Sequence, residues 1–258
     1  MIRKEKVLVA IPCSRESIHP DVGLYLAMIP SRCQNDKRIG DLAYTYDRRH
    51  RIADTRNLFA KMAVDGGYSL LLMIDGDMYV DRFVPRRDVP IDEQLKDDPE
   101  LNPKARPFWD SSIDFMRVMD AGVIGAPAIS SRPSQRVNVF LPTAEGNWAR
   151  IPKSDAVKRH RENPNFERVS AIGTGVMLID VDVFRTVPQP WFEDVYEPTD
   201  VDRVNVHQSQ DTSFCRKCNQ AGISVYCNWY SWAGHWKLGC EGEPELPAPI
   251  PPEGTLTG

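Results

Sequence analysis

Asp75-Gly76-Asp77 follows directly on Leu70-Leu71-Leu72-Met73-Ile74, an unbroken apolar run that reads as a buried strand. In extended backbone, residues two apart point the same way, so both carboxylates could converge on one cation. Gly76 between them leaves room for a ligand to approach the main chain. Two hard oxygens on one side suit Mg²⁺ or Mn²⁺, with phosphate oxygens completing the shell. The plainer alternative is a pair of solvated acids closing a strand. Arg56 and Asn57 fall in the first turn of an expected helix, where free N–H groups and a guanidinium favour an anion or a nucleobase, or merely cap the surface. Gly173-Thr174-Gly175 leads into Val176–Ile179 and either brings backbone close to a ligand or simply turns into the strand. Asp211, opening another helix, reads from its position as an N-cap.

The composition narrows the setting for this chemistry. The chain has 258 residues with 32 Lys+Arg against 36 Asp+Glu, net −4, and 41% hydrophobic residues. This is ordinary globular composition, enough for one large α/β domain or two tight lobes. Mild acidity argues against bulk attraction to nucleic acid, although Arg48–Arg51 and Lys158–Arg161 are local basic runs. The N-terminal apolar run ends at Pro12, too short for a secretory segment. Nowhere does an apolar run approach the ~20 residues of a membrane span, so the cytoplasm is the expected compartment. Six cysteines are too sparse for a disulfide scaffold. Cys215-x-x-Cys218 lacks a matching second pair and shares a helical face with Phe214 and Ala221, which favours buried small hydrophobes over a zinc site.

The elements that must position these residues alternate. Val7–Ile11 reads as the first strand, followed by a long connection over about 14–50. A helix is expected from Ile52 through Ala63 with Asp54 as N-cap, then a strand over Tyr68–Ile74. The stretch 81–107 is polar, carries five prolines and reads as an insertion. Asp110 or Ser111 is expected to cap a helix running to Gly122, and Val123–Ile129 to resume the sheet. Residues 130–165 are polar, with Lys158–Arg161 on a solvated face. A strand at Val176–Ile179, a Pro-rich acidic loop over 188–208, a helix over Asp211–Ala221 and a last strand at Ile223–Tyr226 complete the order. Within that loop, Trp191 and Phe192 either stack on a bound ring or seal the core. The fold class is therefore α/β with a mostly parallel sheet, a single domain over 1–240 and a Pro-rich tail over 241–258.

Taken in order, Ile11-Pro12-Cys13-Ser14, Thr55-Arg56-Asn57, the run ending in Asp75-Gly76-Asp77, Gly173–Ile179, Gln210–Cys215 and His235-Trp236-Lys237 resemble the GT-A glycosyltransferases of bacterial and phage type. The resemblance implies a GT-A-like Rossmann-type sandwich. It implies that Asp75 and Asp77 form a DxD motif holding Mn²⁺ (or Mg²⁺) against the diphosphate of a nucleotide sugar, with His235 a further metal ligand and Lys237 meeting a phosphate oxygen. On the same grounds Pro12, Cys13 and Ser14 would hold base and ribose, with Arg56, Asn57, Gly76 and Gly173, Thr174 and Gly175 along the donor. Asp211 matches the acid that deprotonates the acceptor hydroxyl, although Gln210 stands where that family usually has Glu. For His235 the plainer reading is a ring packed among Tyr226, Trp229, Tyr230, Trp232 and Trp236.

The expected activity is a metal-dependent transfer from a nucleoside-diphosphate sugar, UDP-sugar by family frequency, to an acceptor hydroxyl. The acceptor, whether glycan, lipid, protein, small molecule or modified DNA base, is left open, as are inversion or retention and the oligomeric state. The rival enzyme reading is Mg²⁺-dependent phosphoryl or nucleotidyl transfer on the same acids. Haloacid-dehalogenase-like phosphatases use such a pair, but after their first strand and with Thr or Val where this chain has Tyr79. The rival without catalysis is a binding or assembly protein with a degenerate site.

Overall fold

Every residue from Val7 to Ile11 is at most 3% exposed, and every residue from Leu70 to Ile74 is fully buried. In a computed structural model, these runs are neighbours in a seven-stranded sheet. The structure describes residues 4–13, 18–48, 50–129, 136–198, 204–236 and 240–241. In chain order come β1 (Glu5–Pro12), α1 (Pro20–Asn35), β2 (Ile39–Asp47), α2 (Ile52–Asp65), β3 (Leu70–Ile74), β4 (Met78–Tyr79), α3 (Ile91–Asp97), α4 (Phe108–Met119) and β5 (Val123–Gly125). Then follow β6 (Val139–Pro142), β7 (Trp148–Arg150), α5 (Lys153–Glu162), β8 (Phe166–Val169), β9 (Ala171–Ile172), β10 (Val176–Asp180) and α6 (Val183–Thr186). The last are β11 (Val195–Pro198), β12 (Val204–Gln208), α7 (Gln210–Gln220), β13 (Val225–Asn228), β14 (Gly234–Trp236) and β15 (Cys240–Glu241).

The main sheet has the order β2-β1-β3-β10-β5-β13-β8. Five strands share one direction; β10 and β8 run against their neighbours. Period-two alternation splits the apolar runs between two layers. Leu8, Ala10, Leu71, Met73, Met177 and Ile179 pack with α2 and α7, while Val7, Val9, Leu70, Leu72, Ile74, Val176 and Leu178 pack with α1 and α4. Helices on both faces explain why the strands are continuously apolar instead of alternating. The expected mostly parallel sandwich is what forms. Among the described residues no helix is long and apolar enough to cross a membrane.

Several expected boundaries move. The connection over 14–50 contains α1 and the edge strand β2. Pro20 occupies the first turn of α1, where its missing N–H costs nothing, and Val22, Tyr25, Ile29 and Cys33 form a buried face strong enough to carry the helix past Pro30. Helix α2 is capped at Arg51, with Asp54 inside its first turn. Helix α4 begins at Phe108, ahead of Asp110, because its cap comes from elsewhere: Asp81 Oδ1 accepts the Phe108 N–H at 2.7 Å. Past Gly125 only isolated bridges at Ala128 and Ile129 continue the expected strand. The stretch 81–107 contains α3 and the buried Phe83.

The basic run at 158–161 is not uniformly solvated, since His160 turns inward from α5 and is 2% exposed, with Nδ1 2.8 Å from the Trp229 carbonyl. Trp191 and Phe192 seal the core, at 4% and 1% exposure. Cys215 and Cys218 are fully buried free thiols. The expected tail lies outside the described residues except for the short strand β15.

Two buried titratable groups oppose each other in pH dependence. Burial pushes the Asp81 carboxyl up to about 6 and the His160 imidazole down to about 4. Folded Asp81 keeps its proton where the unfolded chain has lost it, so its contribution falls as pH rises from ~4 to 6. Folded His160 resists protonation, so its contribution falls as pH drops from ~6.5 to 4. Asp81→Asn keeps the Oδ1 acceptor, and Asn tolerates the left-handed backbone at φ 60°. Urea unfolding at pH 4 and pH 7 should show the stability of Asp81→Asn relative to the parent rising by about 2–3 kcal/mol over that interval. A constant difference would mean that Asp81 is not held protonated by its surroundings.

Candidate active site

The carboxyl ends of β1 and β3, the entry to β10 and the first turn of α7 all reach one edge of the sheet. They enclose a cavity of about 340 Å³. Pro12 and Cys13 come from β1 and its end, Asp75, Gly76 and Asp77 from the turn after β3, and Gly173, Thr174 and Gly175 from the turn before β10. Arg56 enters from α2, Asp211 from α7 and His235 from β14. Residues separated by most of the chain thus share one cleft.

The acid turn is fixed by its backbone. Asp75 N–H donates to the Gly175 carbonyl at 2.9 Å, Trp236 N–H to the Asp77 carbonyl at 2.8 Å and His19 N–H to the Gly76 carbonyl at 2.8 Å. Met78 N–H donates to the Asp75 carbonyl at 3.2 Å, so residues 75–78 form a turn and not the extended segment expected. The two carboxylates consequently have different partners. Arg56, 2% exposed, reaches both oxygens of Asp75 through Nη2 at 2.6 and 2.9 Å. Asp77 Oδ2 lies 3.2 Å from His235 Nε2. The latter contact follows from β14 pairing antiparallel with β4, His235 opposite Met78. The Trp236 ring stacks on His19 with centroids 4.5 Å apart.

Burial raises the Asp75 carboxyl above the ordinary carboxylate range; Arg56 opposes this, and Asp77 adds to it. Cys13 is likewise raised, by burial first and then by the neighbouring Asp75 and Asp77, so its thiol stays protonated. The close approach that Gly76 permits is that of this side chain: a Cβ there would stand 3.1 Å from Cys13 Sγ.

Asp211 is not the N-cap of α7, which is Ser209. Its Oδ1 accepts from the Ser209 hydroxyl and from the Thr212 N–H at 2.8 Å, while Oδ2 has no protein partner among the described residues. Beside it Gln210, 8% exposed, also lines the cleft, and its Oε1 is buried without a protein partner. Asn57 is turned away from the cleft, bonded to both the carbonyl and the N–H of Phe192 at 2.6 and 3.0 Å, so it pins the segment before α7. Ser14 and Lys237 lie outside the described residues.

Asn138, Met78, Ile52, Ala128 and Ile129 complete the wall, at positions with no site signal in the sequence. Asn138 holds the Ala128 N–H at 2.7 Å and presses on Gly173, where a Cβ would stand 2.7 Å from its Nδ2. Nothing in the polar stretch around it marks that position. Among the described residues no three His, Cys, Asp or Glu side chains converge into a metal cage.

Sheet order, helices on both faces and a cleft at the strand ends define a GT-A-like α/β fold. No protein-family model matches the sequence, and no curated protein matches it. Among solved structures the chain is similar to A197 from STIV, with 14% identity, TM-score 0.53, and coverage of 90% of this chain and 86% of that one. It is also similar to GalNAc-T7 with UDP, GalNAc and Mn²⁺, at 12% identity and TM-score 0.43, covering 90% of this chain but only 44% of that one. A third is a glycosyltransferase involved in glycosylation of the major capsid of PBCV-1, at 11% identity and TM-score 0.31, covering 72% and 69%. The likeness to A197, at 14% identity and TM-score 0.53, is one of fold.

The ion pair between Arg56 and Asp75 has a measurable signature. Arg56→Met leaves a carboxylate without its counter-ion in a largely enclosed position, which costs ~3–5 kcal/mol when both groups are fully enclosed. Asp75 keeps 24% side-chain exposure toward the cleft, so a loss near the lower end is expected in denaturant unfolding. Adding Asp75→Asn to Arg56→Met should recover part of it; a double variant that loses the sum of the two single losses would show that the pair is not coupled.

Proposed function

We propose that this chain is a metal-dependent glycosyltransferase that moves a sugar from a nucleoside diphosphate, UDP before others, to an acceptor hydroxyl. The observation that carries this reading is the cleft itself. One strand-end cavity is lined by Asp75, Asp77 and His235 together with Gln210 and Asp211 and by Gly76, Gly173 and Gly175.

The donor atoms fit a divalent cation. A carboxylate oxygen and an imidazole nitrogen stand 3.2 Å apart at Asp77 and His235, with Asp75 adjacent but bound by Arg56. Two protein donors short of a cage suit an ion whose shell is completed by phosphate oxygens. When bound, the cation supplies Lewis-acid stabilisation of the charge that builds on the departing diphosphate.

The remaining roles belong to the chain. Arg56 orients Asp75 and opposes the burial that raises its carboxyl. Pro12 and Cys13 offer a largely apolar seat for the nucleoside. Gly173, Thr174 and Gly175 allow the sugar to lie against backbone, and the unpartnered Gln210 Oε1 accepts one of its hydroxyls. Asp211 Oδ2 takes the proton from the acceptor hydroxyl as its oxygen bonds to the anomeric carbon and the sugar–phosphate bond breaks.

Thermal melts with UDP, GDP and CDP, each with and without Mn²⁺, test the donor site. Stabilisation should require nucleotide and metal together and reach ~2.7 kcal/mol at a ligand concentration 100-fold above Kd. Asp77→Asn and His235→Ala should abolish the metal-dependent part while leaving the unliganded melt almost unchanged. If no nucleoside diphosphate shifts the melt, the proposal fails. Asp211→Asn should keep nucleotide binding and donor hydrolysis but lose transfer by ~10²-fold or more; undiminished transfer would remove Asp211 from the mechanism.

A further inference from the structure

A second cavity, of about 600 Å³, lies between α1, the segment 79–88 and the start of α4. It backs onto the cleft: Met78 lines the cleft, and Tyr79, the next residue of β4, lines this cavity. Its size is that of a small-molecule site, and its walls are largely apolar, including Val80 and Val84 and two exposed hydrophobic side chains, Leu24 and Met28.

Three polar atoms on this wall are buried without a hydrogen-bond partner in the protein: Tyr25 Oη, Arg32 Nη1 and Asp81 Oδ2. Tyr25 is 5% exposed; the Trp109 backbone N–H faces its oxygen but supplies no acceptor for its proton. Arg32 Nη1 stands 3.8 Å from Asp81 Oδ2 and 3.7 Å from Asp110 Oδ2, too far for direct hydrogen bonds and suited to a bridging oxygen.

The chemistry of the three atoms selects the bridge. A guanidinium nitrogen only donates, a carboxylate oxygen only accepts, and a phenol can do either. A hydroxyl both accepts and donates, so one hydroxyl oxygen can satisfy Arg32 and Asp81 at once, with Tyr25 as a further donor. An anion would be placed against Asp81 and Asp110, and a cation against Arg32. Around the rim the charges are mixed, with Arg87 paired to Asp110 at 3.0 Å and Arg86 to Asp88 at 2.8 Å, which offers donors and acceptors together to neighbouring hydroxyls.

We propose that this cavity binds a neutral saccharide, one ring hydroxyl bridging Tyr25, Arg32 and Asp81 while an apolar ring face packs on Leu24, Met28 and Val84. The site needs neither nucleotide nor metal, and it does not depend on the transferase reading.

The test is an NMR titration of the full chain with uncharged methyl pyranosides of gluco, galacto, manno and N-acetylglucosamine type, without nucleotide or divalent cation. At least one should bind saturably. Tyr25→Phe removes only the hydroxyl and should weaken that binding at least fivefold. Leu24→Asp alters an exposed wall position and should weaken it comparably without touching the core. Asp77→Asn, on the far side of β4, should leave it unchanged. Absence of saturable binding across the panel would mean that the bridging oxygen is only water, and would overturn the proposal. Binding that survives both Tyr25→Phe and Leu24→Asp would overturn it too. So would binding abolished by Asp77→Asn, since the sugar would then occupy the cleft.

Discussion

The reversed strand β10 is the constraint on which the cleft depends. It lies between β3 and β5, which share one direction, and runs against both. A strand parallel to β3 would begin at the opposite edge of the sheet. Because β10 is antiparallel, the Gly173–Gly175 turn that precedes it falls beside the acid turn that ends β3, and the Asp75 N–H bonds directly to the Gly175 carbonyl. The register is secured by fully buried pairs, Ile74 opposite Val176 and Leu72 opposite Leu178. Slipping it by one residue would move each apolar side chain to the other face, so the packing of both helix layers fixes the meeting of the two turns.

Once gathered, the acids must be kept apart electrostatically. Two carboxylates two positions apart in a partly dehydrated cleft would repel, and one would take up a proton. The fold divides them instead: the turn at 75–78 sends Asp75 to Arg56 and Asp77 to His235. The equal convergence of both carboxylates on one ion presumes extended backbone, which the turn does not have. The two aspartates are therefore chemically distinct, one held by a guanidinium and the other set beside an imidazole.

What could be read from the chain beforehand divides along physical lines. Val7–Ile11, Leu70–Ile74 and Val176–Ile179 are legible as buried strands because burial on both faces demands uninterrupted apolar side chains. The direction of β10 is not legible, since its residues would suit a parallel strand equally well. Helix α1 is hidden by Pro20, Gly23 and Pro30, although its buried face at 22, 25, 29 and 33 has helical spacing. His160 sits in a basic run whose charge suggests solvent, yet the helical turn of α5 directs that one ring to the Trp229 carbonyl. The motif positions converge for the most part, but their pairings, such as Arg56 with Asp75 across 19 positions, exist only once α2 packs against the sheet.

The helix concealed by its prolines turns out to hold the cleft from outside. Its cap residue, His19, donates its N–H to the Gly76 carbonyl and lays its ring on Trp236, so one residue grips the acid turn and the strand carrying His235. Tyr79 also stacks with Trp236, with centroids 6.4 Å apart and rings nearly parallel. Strand β4 is two residues long and would have little stiffness alone. Between this stack and its pairing with β14 it becomes a wall with Met78 facing the cleft and Tyr79 the cavity behind. The separation of Asp77 and His235 is thus set by the packing of α1 as much as by the local turn. Residues outside the cleft lining, His19 first among them, then govern how well the cleft can hold a ligand.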